Sequence, residues 1–163
     1  MALLETFEWV RETALSVSIR ESILMFPVLE GTHLLCIGAS AGLIAVSDLR
    51  MMGVAFKKEP VSDVFNGILP YMVLGFVVTV ITGVLLFWSE PVKVYESIWF
   101  RYKVLFMVLA GLNALIYHST IYRSRAVWDK DPSPPLGVKL AGFFSILTWS
   151  VVIIAGRTTA YNF

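Results

Sequence analysis

Four stretches of mostly apolar residues, each long enough to cross a lipid bilayer, constrain this chain more than any other feature. A helix needs about 20 apolar residues to span the hydrocarbon core. The sequence predicts such spans at about residues 22–47, 64–88, 98–122 and 138–159. Because backbone groups in lipid must be paired within the protein, each stretch is expected to be helical. The predicted fold is therefore all-α: an integral membrane bundle of four up-down transmembrane helices.

Composition and charge agree with a membrane protein and exclude several other classes. Of the 163 residues, 57% are hydrophobic and 15% are charged, whereas a soluble domain has roughly 25% charged residues. The net charge of +1, with no basic run longer than Lys57-Lys58, gives no indication of nucleic-acid binding. A single cysteine, Cys36, excludes an intrachain disulfide.

The first 21 residues form a unit of their own before the bundle at 22–163. On a helix over residues 2–21, apolar side chains share one face and polar side chains share the other. The apolar face comprises Leu3, Phe7, Val10, Ala14 and Val17, and the polar face comprises Glu5, Glu8, Glu12, Ser16 and Arg20. This pattern predicts an amphipathic helix lying in the membrane interface. A helix docked on a partner subunit would show the same pattern.

The distribution of basic residues predicts the orientation in the membrane. The loops after the first and third spans carry slightly more Lys and Arg than the opposite side. By the positive-inside rule these two loops lie in the cytoplasm, and both termini are then periplasmic.

Two histidines lie within predicted spans, where an ionisable side chain needs a partner or a function. Neutral imidazole is a common ligand of metals and haem iron. His33 shares a polar stripe with Glu30, one turn before it, and should face the bundle interior. His118 lies near the other end of its span, roughly 15–20 Å away in depth at 1.5 Å per residue. The two are poor candidates for opposite ligands of one iron, and we assign His118 an interfacial hydrogen-bonding role.

Four charged or ionisable side chains are predicted to gather in the outer half of the bundle. Glu30, His33, Lys103 and Arg157 all lie at a similar depth, with Tyr161 nearby. This set suits haem b, with His33 as axial ligand, Lys103 and Arg157 on the propionates, and Glu30 tuning the site. A methionine such as Met72 or Met107 is a candidate second ligand. The same four residues would serve equally well as a structural salt-bridge network.

Other chemistries find less support. Glu30-x-x-His33 resembles half of a di-iron site, but the third and fourth spans contain no carboxylate to complete one. No serine or cysteine has a base and an orienting group at the same depth, so we assign no catalytic residue.

Small residues recur at four-residue spacing in two spans. The first span contains Gly38-x-x-x-Gly42, and the second contains Gly75-x-x-x-Thr79-x-x-x-Gly83. Such ridges let helix backbones approach closely. They indicate either a compact bundle or a dimerisation seam.

Two segments resemble an uncharacterised family of small four-span bacterial inner-membrane proteins, known as a domain of unknown function. They are His33-Leu34-Leu35 through Ser47-Asp48-Leu49-Arg50-Met51-Met52-Gly53, and Ser145-Ile146-Leu147-Thr148-Trp149 through Ala155-Gly156-Arg157-Thr158-Thr159-Ala160-Tyr161. The similarity covers about residues 24–161. The architecture is loosely similar to copper-resistance D-type and b-type cytochrome membrane bundles. The resemblance implies a bacterial cytoplasmic membrane and brings no activity.

Together these features predict a haem b-binding membrane anchor or electron-transfer subunit. It would connect a periplasmic redox partner to the quinone pool, as part of an oxidoreductase complex rather than as an enzyme by itself. Its expected partners are the lipid bilayer, other membrane or periplasmic subunits or a second copy of the chain, and quinone. Two alternatives stay open: a small transporter handling protons or copper, and a non-catalytic accessory subunit of a membrane complex.

Overall fold

The computed structural model describes residues 2–161, and every element in that range is helical. The elements are α1 (Ala2–Arg11), α2 (Ala14–Glu21), α3 (Met25–Met51), α4 (Val61–Ser89), α5 (Pro91–Glu96), α6 (Ile98–Ser119), a 3-10 helix (Ile121–Ser124), α7 (Arg125–Trp128) and α8 (Leu136–Tyr161). Four of them, α3, α4, α6 and α8, are long and apolar enough to cross a membrane. The predicted all-α bundle with four transmembrane helices is confirmed.

The spans differ from their predicted limits mainly at one end of the bundle. We call that end, which carries the α3–α4 and α6–α8 connections, the loop side, and the opposite end the termini side. On the loop side, α3 continues past the predicted end at residue 47 to Met51, and α4 begins at Val61 instead of residue 64. The hydropathy pattern placed the end of the first span before the polar residues Asp48 and Arg50. In the structure both residues are helical and buried in the last turns of α3.

The four long helices lie in the spatial order α4, α3, α8, α6. α4 packs mainly on α3, α6 packs mainly on α8, and α3 and α8 contact each other. Accordingly α3 and α8 are the most buried spans and α4 and α6 the least. Within residues 2–161, α4 and α6 make little or no contact although they follow each other in the chain. The bundle is therefore open on one side, between α4 and α6.

The N-terminal segment forms two helices instead of the single helix predicted over residues 2–21. The Thr13 hydroxyl accepts a hydrogen bond from the Ser16 amide at 3.4 Å and so caps the start of α2. This break changes the helical phase, and Ser16, predicted on the polar face, becomes fully buried with its hydroxyl donating to the Ser89 carbonyl. The single-helix prediction is wrong for that reason.

Both short helices pack on the termini side of this chain's own bundle. Ile19 of α2 is buried against the long helices, which α2 contacts at α3 and α4. Phe7 of α1 contacts the rings of Phe87 and Tyr95 at centroid distances of 5.7 and 4.9 Å. The N-terminal segment thus caps the bundle, and its position relative to the lipid interface stays a prediction.

On the loop side, one arginine hydrogen-bonds to both of the connections between long helices. Arg50 is fully buried and donates to the backbone carbonyls of Glu59 at 2.6 Å, Asp129 at 3.3 Å and Asp131 at 3.0 Å. The Asp129 carboxylate accepts from the Ser62 amide and hydroxyl at 2.8 and 2.6 Å, which caps the start of α4. Arg50 thus ties the α3–α4 and α6–α8 connections together.

Several glycines lie where two helices approach closely. Only some of the glycines in the predicted ridges are among them. A Cβ added at Gly142 of α8 would lie 2.8 Å from the Asp48 carbonyl oxygen of α3, and one at Gly75 would collide with Ser40. Gly38 and Gly42 have nothing within 4 Å of such an atom. The compact-bundle interpretation therefore holds for the α4 ridge and is wrong, within this chain, for the α3 ridge.

Candidate functional site

The opening between α4 and α6 leads into a cleft that runs along the bundle interior, which we call the central cleft. It consists of three adjoining cavities of about 290 Å³ on the termini side, 280 Å³ in the middle and 370 Å³ on the loop side. All four long helices line the middle cavity. The termini-side and middle cavities share His33, Gly83, Phe87, Phe100 and Lys103, and the middle and loop-side cavities share Ile44, Phe76, Met107 and Trp149.

His33 projects from α3 into this cleft and is only 8% exposed, as its place on the polar stripe predicts. Its Nδ1 lies 2.9 Å from the Thr82 hydroxyl of α4. That hydroxyl has one proton, and two carbonyl oxygens of its own helix, Val78 at 2.7 Å and Thr79 at 3.2 Å, are placed to accept it. In that arrangement the Thr82 oxygen accepts from His33, Nδ1 carries the ring proton and the lone pair is on Nε2.

The His33 ring is placed where a ligand in either of two cavities can reach it. It hydrogen-bonds to the Thr82 hydroxyl through Nδ1 and to the Thr79 backbone, and it lines both the middle and the termini-side cavities. Gly83 allows this position, since a Cβ there would lie 3.0 Å from the His33 Cε1. A neutral imidazole whose Nδ1–H is held by a fixed acceptor is the usual arrangement of a metal-binding histidine.

Lys103 reaches the same two cavities from α6. Its stem packs on Gly156 of α8, where an added Cβ would lie 3.4 Å from the Lys103 Nζ. Among the described residues this ammonium group forms no salt bridge or hydrogen bond. An unpaired cation between apolar walls favours a ligand that carries an anionic group.

Glu30 and Arg157 lie at the termini-side mouth of the cleft. The Arg157 guanidinium lies 3.7 Å from the Glu30 carboxylate, and both side chains are partly exposed. Arg157 also donates to the Tyr161 hydroxyl and lies 4.5 Å from the centre of that ring. All four predicted site residues thus line the termini-side cavity, and their role in binding a cofactor stays a prediction.

The two candidate second ligands of haem, Met107 and Met72, differ in their position relative to His33. Met107 of α6 lines the middle cavity together with His33. Met72 of α4 lines the loop-side cavity, which His33 does not reach. Within the described residues, no group of three or more His, Cys, Asp or Glu side chains is placed to hold a metal ion.

His118 lies away from His33, as predicted, on the wall of the loop-side cavity. Its ring contacts Phe65, Tyr117 and Tyr122 at centroid distances of 5.4, 5.1 and 5.2 Å. It has no hydrogen-bond partner in residues 2–161, so the expected hydrogen-bonding role is not fulfilled inside the described chain. Asp48 and Tyr117 line the same cavity.

Sequence reasoning did not identify Thr82 as the partner of His33. A threonine in an apolar span ordinarily donates to its own helix, as Thr148 does to Phe144. Only the rotation of α4 against α3 turns the Thr82 oxygen toward His33.

No family model matches this chain, and no curated protein or solved structure matches it significantly. The candidate function therefore depends on the geometry of the site itself. The resemblance to the four-span family stays a prediction.

Proposed function

We propose that this protein is a membrane subunit that binds haem b in the central cleft, with His33 as an axial ligand of the iron. The observation that carries the proposal is the position of the imidazole, which lines the cavity and has its Nδ1 2.9 Å from the Thr82 hydroxyl. With that hydroxyl donating to Val78, Nδ1 holds the ring proton and Nε2 keeps a lone pair for iron. Bound haem would supply reversible one-electron transfer.

The surroundings of His33 support this ligand. The termini-side and middle cavities, about 290 and 280 Å³, together fall within the roughly 300–1,000 Å³ of ordinary ligand pockets. Their shared walls are aromatic and apolar, and Lys103 provides a cation without a protein partner. Lys103 and Arg157 would bind the two propionates, and Glu30 would hold Arg157 at the mouth.

The position of the site suggests the direction of electron flow. The cavity at Glu30 and Arg157 opens on the termini side, which basic-residue counts assign to the periplasm of a bacterial inner membrane. The cleft continues from there toward the loop side. We therefore infer a subunit that passes electrons between a redox partner on the termini side and quinone in the membrane.

Replacement of each histidine in turn tests the proposal. The full chain is expressed in a haem-replete bacterium, purified in detergent, and examined by its Soret absorbance and a pyridine haemochrome assay. We expect about one haem per chain in the wild type and in His118→Ala, and no haem in His33→Ala. Equal loss in both variants, or a folded wild type without haem, would overturn haem binding.

A further inference from the structure

We propose that the loop-side cavity binds the headgroup of an isoprenoid quinone, with Asp48 and His118 as its polar contacts. The cavity measures about 370 Å³ and lies between α3, α4, α6 and α8. Binding there requires no haem. Electron exchange between this quinone and the His33 site does depend on the proposed function.

Asp48 is the first reason to expect a polar ligand. It is 5% exposed and lines the cavity; its side chain accepts a hydrogen bond from Ser145, but its Oδ2 has no hydrogen-bond partner among residues 2–161. Arg50, two residues further on, forms no salt bridge with it within that range and donates instead to loop carbonyls. A buried carboxylate oxygen without a donor is costly. A ligand hydroxyl, as in a quinol, would supply the donor.

The arrangement of the other polar groups fits a ring with oxygen atoms at opposite ends. Asp48 lies on α3, whereas His118 and Asn113 face the cavity from α6. Asn113 donates its amide to the Ala141 carbonyl at 2.9 Å, which leaves its own oxygen as an acceptor. The remaining walls are largely aromatic and apolar and include Phe65, Tyr117 and Trp149. Polar contacts on two walls with flat apolar surfaces between them suit a planar quinone ring.

Charge argues against a phospholipid or a fatty acid as the occupant. Among the described residues, no lysine or arginine lines this cavity, whereas one carboxylate does. An anionic headgroup would therefore meet a like charge in an environment of low dielectric constant. A quinone headgroup is uncharged and avoids that penalty.

The cleft also provides a route and room for an isoprenoid tail. α4 and α6 leave the bundle open toward lipid, where quinones dissolve. The loop-side cavity continues into the middle cavity past Ile44, Phe76 and Met107, all of which are apolar. When haem occupies the middle cavity, the tail leaves between α4 and α6 toward lipid; in the haem-free protein it can also extend along the cleft.

Photolabelling tests the site directly. The full chain, reconstituted in phosphatidylcholine nanodiscs, is labelled with a short-tailed azido-ubiquinone and competed with decylubiquinone, and the labelled peptides are mapped by mass spectrometry. We expect competable labelling in the loop-side half of α3 and α6. Asp48→Leu should weaken binding of the reduced form, decylubiquinol, whose hydroxyl donates to the carboxylate, and His118→Phe should weaken binding of decylubiquinol and decylubiquinone alike. Each loss should be about tenfold, the effect of one lost hydrogen bond.

The variants are chosen to separate binding from folding and from haem. His118→Phe keeps the ring that packs on Phe65 and Tyr122, and therefore tests the site even if Asp48→Leu fails to fold. Asp63→Leu removes an exposed carboxylate outside the cavity and should not change binding. His33→Ala should lose haem and keep quinone binding, so failure of the haem proposal leaves this test intact.

Three results would overturn the inference. The first is unchanged affinity in both single variants, His118→Phe and Asp48→Leu, when both are folded. The second is labelling confined to the lipid-facing surface. The third is displacement of the probe by phosphatidylglycerol or oleate but not by decylubiquinone. The last result would assign the cavity to a lipid.

Discussion

At the scale of single residues, one hydroxyl group decides what His33 can do. Thr82 has only one proton, and when it donates that proton to Val78 it accepts from the imidazole. The helical spacing of Glu30 and His33 correctly predicts that His33 faces inward. It could not predict the acceptor, because Thr82 lies 49 residues further along the chain on another helix.

Thr82→Val should weaken haem binding without unfolding the protein. The substitution keeps the shape of the side chain but removes the oxygen that orients the ring, and loss of such a partner typically lowers metal affinity roughly 10–100-fold. Haem titration of the purified apoprotein measures the effect, together with the midpoint potential of the bound haem.

Two further threonine variants make this result specific. Thr82→Ser restores the hydroxyl and should restore affinity. Thr79→Val removes a buried hydroxyl oxygen that has no partner among the described residues, so affinity should not change. Equal haem binding by Thr82→Val and wild type would show that Thr82 does not orient the ligand.

At the scale of helices, close approach at a few glycines holds the elements together. Small residues in a ridge permit contact but do not say which ridge is used. Gly75 and Gly83 of α4 pack against Ser40 and His33 of α3, whereas Gly38 and Gly42 of α3 face open space. Gly142, which belongs to no predicted ridge, makes the tightest contact between α3 and α8.

Gly142→Ala should destabilise the bundle by roughly 1–3 kcal/mol, the usual penalty of overpacking. Its Cβ would lie 2.8 Å from the Asp48 carbonyl oxygen, which belongs to a rigid helix backbone and cannot move aside without shifting α3. The apparent melting temperature in detergent reports the change.

Gly38→Ala is the matched control, since a Cβ at this position meets nothing within 4 Å. Its melting temperature should equal that of the wild type. A larger loss for Gly38→Ala than for Gly142→Ala would contradict the observed helix packing.

At the scale of the whole molecule, the helix order α4, α3, α8, α6 creates the cleft. A bundle in which each span packed on its neighbour in sequence would bring α4 and α6 together and close this opening. On the loop side, Arg50 joins two connections that are far apart in the chain. On the termini side, α1 and α2 cover the bundle end, with the Trp88 indole donating to Thr13 at 3.1 Å.

Arg50→Met should lower stability by at least about 3 kcal/mol, because buried loop carbonyls lose a charged donor whose hydrogen bonds contribute about 1.5–3 kcal/mol each. Arg50→Lys should recover little of this loss, since one ammonium group cannot reproduce the planar fork of the guanidinium. Thermal unfolding in detergent measures both variants.

Arg125→Met serves as the control for charge on the same side. Arg125 is exposed and stacks on Tyr122 at 4.5 Å from the ring centre, so its replacement should have little effect on stability. Equal destabilisation by Arg125→Met and Arg50→Met would mean that Arg50 stabilises the fold only through its positive charge and not through its hydrogen bonds to the loop carbonyls.

The sequence by itself determined the number of spans, the all-α class and the inward orientation of His33, because segment length, hydropathy and helical periodicity are local properties. It also predicted that Glu30, Lys103 and Arg157 lie near His33, since depth along a span follows from residue counting. Only the tertiary structure decided the helix order, the Thr82 contact and the burial of Asp48, whose Oδ2 lacks a hydrogen-bond partner among the described residues. These depend on how each helix is rotated and which neighbour it packs against, and contacts between residues distant in the chain decide both.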